Sequence, residues 1–125
     1  FPHTAIPDLK HTKCLSVKID DIKILKPNWN SAVRTILKQV NTRGITITSP
    51  YLHGLKISDK NQSLHGFKYI SEIGKSVQGA DANQTARAIF DIAKEYDILV
   101  EVSFQWRENF GAKYPGLRGV IAFSS

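Results

Sequence analysis

The chain has 125 residues, 42% apolar and 22% charged, which suits one domain with its own core and needs no disulfide or metal staple. No apolar run approaches the roughly 20 residues that span a bilayer, and no basic-then-apolar signal segment opens the sequence. The net charge of +6 and a pI near 9.6 favour a polyanionic partner over a neutral one.

The single cysteine, Cys14, excludes an intramolecular disulfide framework and a Cys-rich zinc site, and it points to an intracellular, reducing location. The chain starts at Phe1 and contains no methionine, so a piece of a larger protein is expected. Residues 1–70 hold eleven Lys/Arg against four Asp, whereas residues 71–125 hold six against seven acids. The positive excess therefore belongs to one half. Lys10, Lys13, Lys18, Lys23 and Lys26 are spaced out rather than run together, so no basic arm is evident. A lysine-rich solvated surface is the plain alternative to a polyanion site.

Residues 1–12 contain two prolines and no period, and they read as an extended leader packed loosely on the body, or a linker remnant, ahead of a single domain over 13–125. Leu15, Val17 and Ile19 alternate with Ser16, Lys18 and Asp20, the pattern of a half-buried strand. Asp20-Asp21 then turns the chain into Ile22–Leu25, giving an opening hairpin in which both aspartates are expected to be solvated.

Asn28 is placed to cap a helix over 29–41, whose apolar stripe is Trp29, Val33, Ile36, Leu37 and Val40. Arg34, Thr35, Lys38, Gln39 and Asn41 cover its other face, and Arg43-Gly44 ends it. Ile45 and Ile47 alternate with threonines until Ser49-Pro50 cuts the run. Leu55–Ser58 and Gly66–Ile70 read as a hairpin with a long polar tip over 59–65, and a short strand follows near Ser76–Gln78.

Asp81 caps the second helix, with Gln84 three residues on as the reciprocal half of a capping box. Ala82, Ala86, Ile89, Ala93 and Tyr96 form its stripe, widened by Phe90 and Ile92, and its alanines let the backbone lie close to a sheet. Ile98–Trp106 is the clearest strand, and Leu117–Phe123 supplies its partner after a long connection. The order ββα-ββ(β)-αββ predicts an α+β domain: a mostly antiparallel sheet of about five to seven strands with two helices packed on it.

Catalytic signatures are sparse. His3, His11, His53 and His65 are dispersed, so no metal site is expected; a His53–His65 cluster across the middle hairpin is the one alternative. Cys14 opens an apolar strand, where a structural thiol is the default. No nucleophile elbow, phosphate loop or dinucleotide fingerprint occurs, and no cofactor is implied. Asp59, Glu72 and Glu101 are carboxylates that no pattern gathers into a catalytic cluster.

The stretch Gln105–Arg118, QWRENFGAKYPGLR, stands apart because aromatics alternate with cations in a hairpin loop. Trp106 continues the core face of its strand. Phe110 and Tyr114 either fold over the sheet end or face a partner. Bases stack on aromatic rings while Arg and Lys contact phosphates, so the expected function is a non-catalytic nucleic-acid-binding module. Its candidate contact residues are Arg34, Lys38, Arg107, Lys113, Tyr114 and Arg118. The alternative is a protein-interaction or assembly domain, because Trp, Tyr and Arg also anchor protein interfaces. A binding role at this loop requires the fold to bring it beside the basic first half of the chain.

Overall fold

The computed structural model describes residues 1–125 and divides eight strands between two antiparallel four-stranded sheets. In chain order the elements are β1 (Thr12–Ile19), β2 (Ile22–Lys23), α1 (Trp29–Thr42), β3 (Tyr51–Leu52) and β4 (Leu55–Ser58). They continue as β5 (Phe67–Ile70), β6 (Lys75–Gln78), α2 (Ala82–Tyr96), β7 (Val100–Trp106) and β8 (Arg118–Phe123). The first sheet has the order β2-β1-β7-β8 and the second the order β3-β4-β6-β5. The α+β class and the hairpin–helix grouping at both ends follow the sequence reading. The strands number eight rather than five to seven, and they form two sheets rather than one.

That division has a local cause. The strands between Tyr51 and Gln78 have two to four residues each, and all their pairings stay within that segment. The first sheet instead joins the two ends of the chain through β1 and β7. The expected hairpin between β4 and β5 does not form, because β6 lies between them. Their connection crosses over β6. Ser76, fully buried, fastens it there: its hydroxyl donates to the Lys60 carbonyl at 2.7 Å and accepts the Gln62 N–H at 3.1 Å. A buried hydroxyl needs such partners, and the crossing loop supplies both.

The helices pack on each other, with α1 against β1 and α2 touching both β8 and β4. Two-sided contact explains why α2 buries Thr85 and Ala88 besides the predicted Ala86, Ile89, Phe90, Ile92 and Ala93, while Ala82 and Tyr96 are half-buried. The two helices and both sheets share one apolar core. Asn28 caps α1 as the sequence indicates, its side chain accepting the Ser31 N–H at 2.7 Å while Ser31 Oγ accepts the Asn28 N–H at 2.9 Å. Asp81 caps α2 by accepting the Gln84 N–H at 2.8 Å. The reciprocal half of that box is absent. Gln84 instead donates to the Gly54 carbonyl at 2.7 Å and ties α2 to the β3–β4 turn.

The segments on both sides of β1 are tied to the rest of the fold. Residues 1–12 are extended but packed: Leu9 is fully buried, its N–H donates to Asn83 at 2.7 Å, and Pro2 bridges to Ala122 of β8. Phe1 lies edge-on to Trp106 with ring centroids 5.8 Å apart. Asp20 is not simply solvated. Its carboxylate accepts from Gln39 at 2.6 Å, Arg43 at 2.9 Å and the Leu99 N–H at 3.0 Å. Burial pushes its pKa up, yet the Leu99, Gln39 and Arg43 donors outweigh that and hold it below the ordinary value. Arg43 also donates to the carbonyls of Tyr96 and Asp97, at 2.6 and 3.0 Å. The cluster joins the β1–β2 turn, the end of α1 and the end of α2.

Candidate functional site

The first sheet presents two chemically opposite faces. Cys14 pairs with Phe104, Val17 with Val102 and Ile19 with Val100, and these residues point to the helices. Residues between them point away. Lys13 pairs with Gln105, which pairs with Arg118; Ser16 pairs with Ser103, which pairs with Val120. A third row runs Lys23, Lys18, Glu101, Ala122.

Lys13 and Lys18 are five residues apart, so strict alternation would send them to opposite faces. They share a face because the register shifts by one residue between Cys14 and Ser16. Leu15 is the extra residue of this bulge and stands 38% exposed. The sequence pattern reads Leu15 as inward. The bulge puts Cys14 there instead, and burial raises its thiol pKa to about 12.

Arg107 follows β7 and donates its backbone N–H to the His11 carbonyl at 2.8 Å. It lines a shallow hollow of about 340 Å³ with Lys13, Gln105 and Glu108. Arg118 enters at the adjoining position on β8. Lys13, Arg107 and Arg118 thus gather at one end of the outer face, while Lys18 and Lys23 occupy the other. The ion pairs of the molecule are Lys38–Glu72, Arg43–Asp20, His53–Glu95 and Lys75–Asp59. None involves these five cations. Glu101 and Glu108 are the acids nearest them in the register and in the hollow.

The loop between β7 and β8 is divided in its roles. Tyr114 packs edge-on against Trp106, with ring centroids 5.0 Å apart, and is 43% exposed. Trp106 is fully buried and donates its indole N–H to the Asp8 carbonyl at 3.0 Å. Gly111 lies against His11, so close that a Cβ would stand 2.7 Å from the imidazole Nε2. The Lys113 ammonium sits 5.9 Å from the Tyr114 ring centroid. Phe110, at the tip, is fully exposed. Trp106 and Tyr114 therefore close the sheet end, while Arg107, Phe110 and Lys113 face outward.

The fold does not gather all the candidate residues. Arg107, Lys113, Tyr114 and Arg118 lie at one end of the first sheet. Arg34 and Lys38 lie on α1, which packs on the sheet's opposite face. Arg34 borders a narrow hollow with Asn30 of α1 and with Lys68 and Gln78 of the second sheet. Lys38 is committed to Glu72, Nζ to Oε2 2.8 Å, and its hydrogen bond lowers the Glu72 pKa to about 2. Lys13 and Lys18 join the site without a sequence signal, because only the bulge and the β1–β7 pairing put them there, and Lys23 lies beside Lys18 in the β1–β2 hairpin.

Histidines and carboxylates do not converge elsewhere. His53 Nε2 lies 2.8 Å from Glu95 Oε1, which holds the Glu95 carboxyl below its usual range. Asp59 is likewise lowered, by Lys75 and Ser49. No group of three His, Cys, Asp or Glu side chains is arranged to hold a metal ion. No helix is long and apolar enough to cross a membrane. No family model, curated protein or solved structure matches this chain.

Proposed function

We propose that the chain is a non-catalytic nucleic-acid-binding module of a larger intracellular protein, and that the outer face of the first sheet with the β7–β8 loop holds the ligand. The observation that carries this reading is the β1–β7–β8 register, which lines up Lys13, Gln105 and Arg118 beside Arg107 with no ion-paired acid among them. Unpaired cations in a row attract a phosphate backbone and leave counterion release as the driving term. Arg34 and Lys38 drop out of the proposed contact set by position, because α1 packs on the opposite face of the sheet.

Titration with labelled single- and double-stranded oligonucleotides at low and at moderate salt tests the reading. Binding that weakens steeply with salt supports it, and absence of binding at low salt contradicts it. A protein partner is the second reading. It is favoured by three apolar or aromatic side chains of the β7–β8 loop, Phe110, Tyr114 and Leu117, that stand exposed. Such an anchor-led interface loses little affinity as salt rises.

A further inference from the structure

We infer that Phe110 is a base-stacking residue and that the nucleic acid bound here is single-stranded, an inference that rests on the reading just proposed. Phe110 differs from every other aromatic residue near the first sheet. Phe104 and Trp106 are buried, Phe1 and Tyr114 each lie against Trp106, and Phe123 lies edge-on to His3 with centroids 5.0 Å apart. Phe110 alone among them is fully exposed, so its ring is unused by the fold.

Its position is fixed from both sides. Asn109 donates its N–H to the Arg107 carbonyl at 2.8 Å, the Ala112 N–H returns to the Asn109 carbonyl at 3.0 Å, and Gly111 packs under His11. This tight turn holds the ring out at the end of the sheet where Lys13, Arg107 and Arg118 stand. Cations along the strands with an aromatic ring at the end of the row are the parts of a single-strand site, in which phosphates follow the charge and a splayed base stacks on the ring.

Duplex reading asks for something else. Major-groove reading uses a helix or a two-stranded ribbon inserted into a groove about 12 Å wide. The helices here are buried along one broad side by the core, and the site's cations lie on a four-stranded sheet face. The middle row of that face is Ser16, Ser103 and Val120, whose small side chains leave room for an extended strand.

The test compares the intact chain with Phe110→Ala, Phe110→Trp and the double variant Lys13→Ala/Arg118→Ala, using an oligothymidylate and a duplex of equal length. Phe110→Ala is expected to weaken oligothymidylate binding roughly 5- to 150-fold, the range of one lost stack, and to change duplex binding less than about 2-fold. Phe110→Trp is expected to retain binding and to show fluorescence quenching on oligothymidylate addition. Unchanged affinity in Phe110→Ala, or equal loss on both ligands, overturns the inference. If the double variant still weakens binding in that case, the proposed function survives and only the stacking role falls. If the unmodified chain binds neither ligand at low salt, both fall together.

Discussion

The two faces of the first sheet use the same strands for different ends. The inner face carries Val17, Ile19, Val100, Val102, Phe104, Trp106 and Ile121, all nearly or fully buried. The outer face carries Lys13, Lys18, Lys23, Gln105 and Arg118, which the core never touches. Alternation separates stability from charge residue by residue. Substitutions on one face should therefore move the unfolding transition and leave binding chemistry intact, and those on the other should do the reverse.

The largest expected effect is on the inner face. Trp106→Ala removes a buried indole and its bond to Asp8, and should cost about 3–5 kcal/mol in denaturant unfolding. Gly119→Ala comes next. A Cβ there would meet Phe104 Cζ at 2.7 Å and Phe1 Cε2 at 2.9 Å, so the variant should lose about 1–3 kcal/mol and loosen Phe1. Disappearance of the Phe1–Trp106 contact would register as a change in tryptophan fluorescence.

At the turn joining β1 to β2, Asp20→Ala should cost about 2 kcal/mol, because three donors lose a charged acceptor that is 18% exposed. The pH dependence has a definite sign. The folded pKa of Asp20 lies below the ordinary 3.8, so its contribution is complete above that value and is lost as pH falls through the lower folded value. Acid unfolding curves of Asp20→Asn should lack that component. If the stability difference between the original and the variant stays constant as pH falls from neutrality through 3.8 and below, the cluster does not bear on stability as described.

The smallest stability effect belongs to the outer face. Lys13→Ala/Arg118→Ala should shift stability by less than about 0.5 kcal/mol, since neither cation has a partner. A large drop in the unfolding midpoint would mean the two faces are not separable.

Much of this comparison is readable in the sequence, and the unreadable part has a physical cause. Periodicity marks both helices, β7 and the burial of Trp106, because each rests on a long pattern with one orientation. The β1 face is misread at Leu15, since a bulge breaks parity and leaves no trace in residue type. The β4–β5 pairing is misread because four-residue strands pair well with more than one neighbour, and Ser76 decides the outcome only through the loop that covers it. Lys13 and Lys18 become site residues through pairings about 80 to 90 residues distant in sequence, with Gln105 and Glu101, and Lys23 follows through its local pairing with Lys18. Arg34 and Lys38 looked apt on a polar helix face, yet which side of the sheet that helix covers is a tertiary fact.

The salt dependence of oligothymidylate binding, measured between about 50 and 200 mM salt, tests the central claim most directly. The slope of log affinity against log salt should be shallower by roughly 1.4 in Lys13→Ala/Arg118→Ala than in the unmodified chain, for two lost phosphate contacts. Arg34→Ala, on the far side of the sheet, should leave the slope unchanged. Equal slopes for the double variant and the unmodified chain, or a larger change from Arg34→Ala, would contradict the placement of the ligand on the outer face.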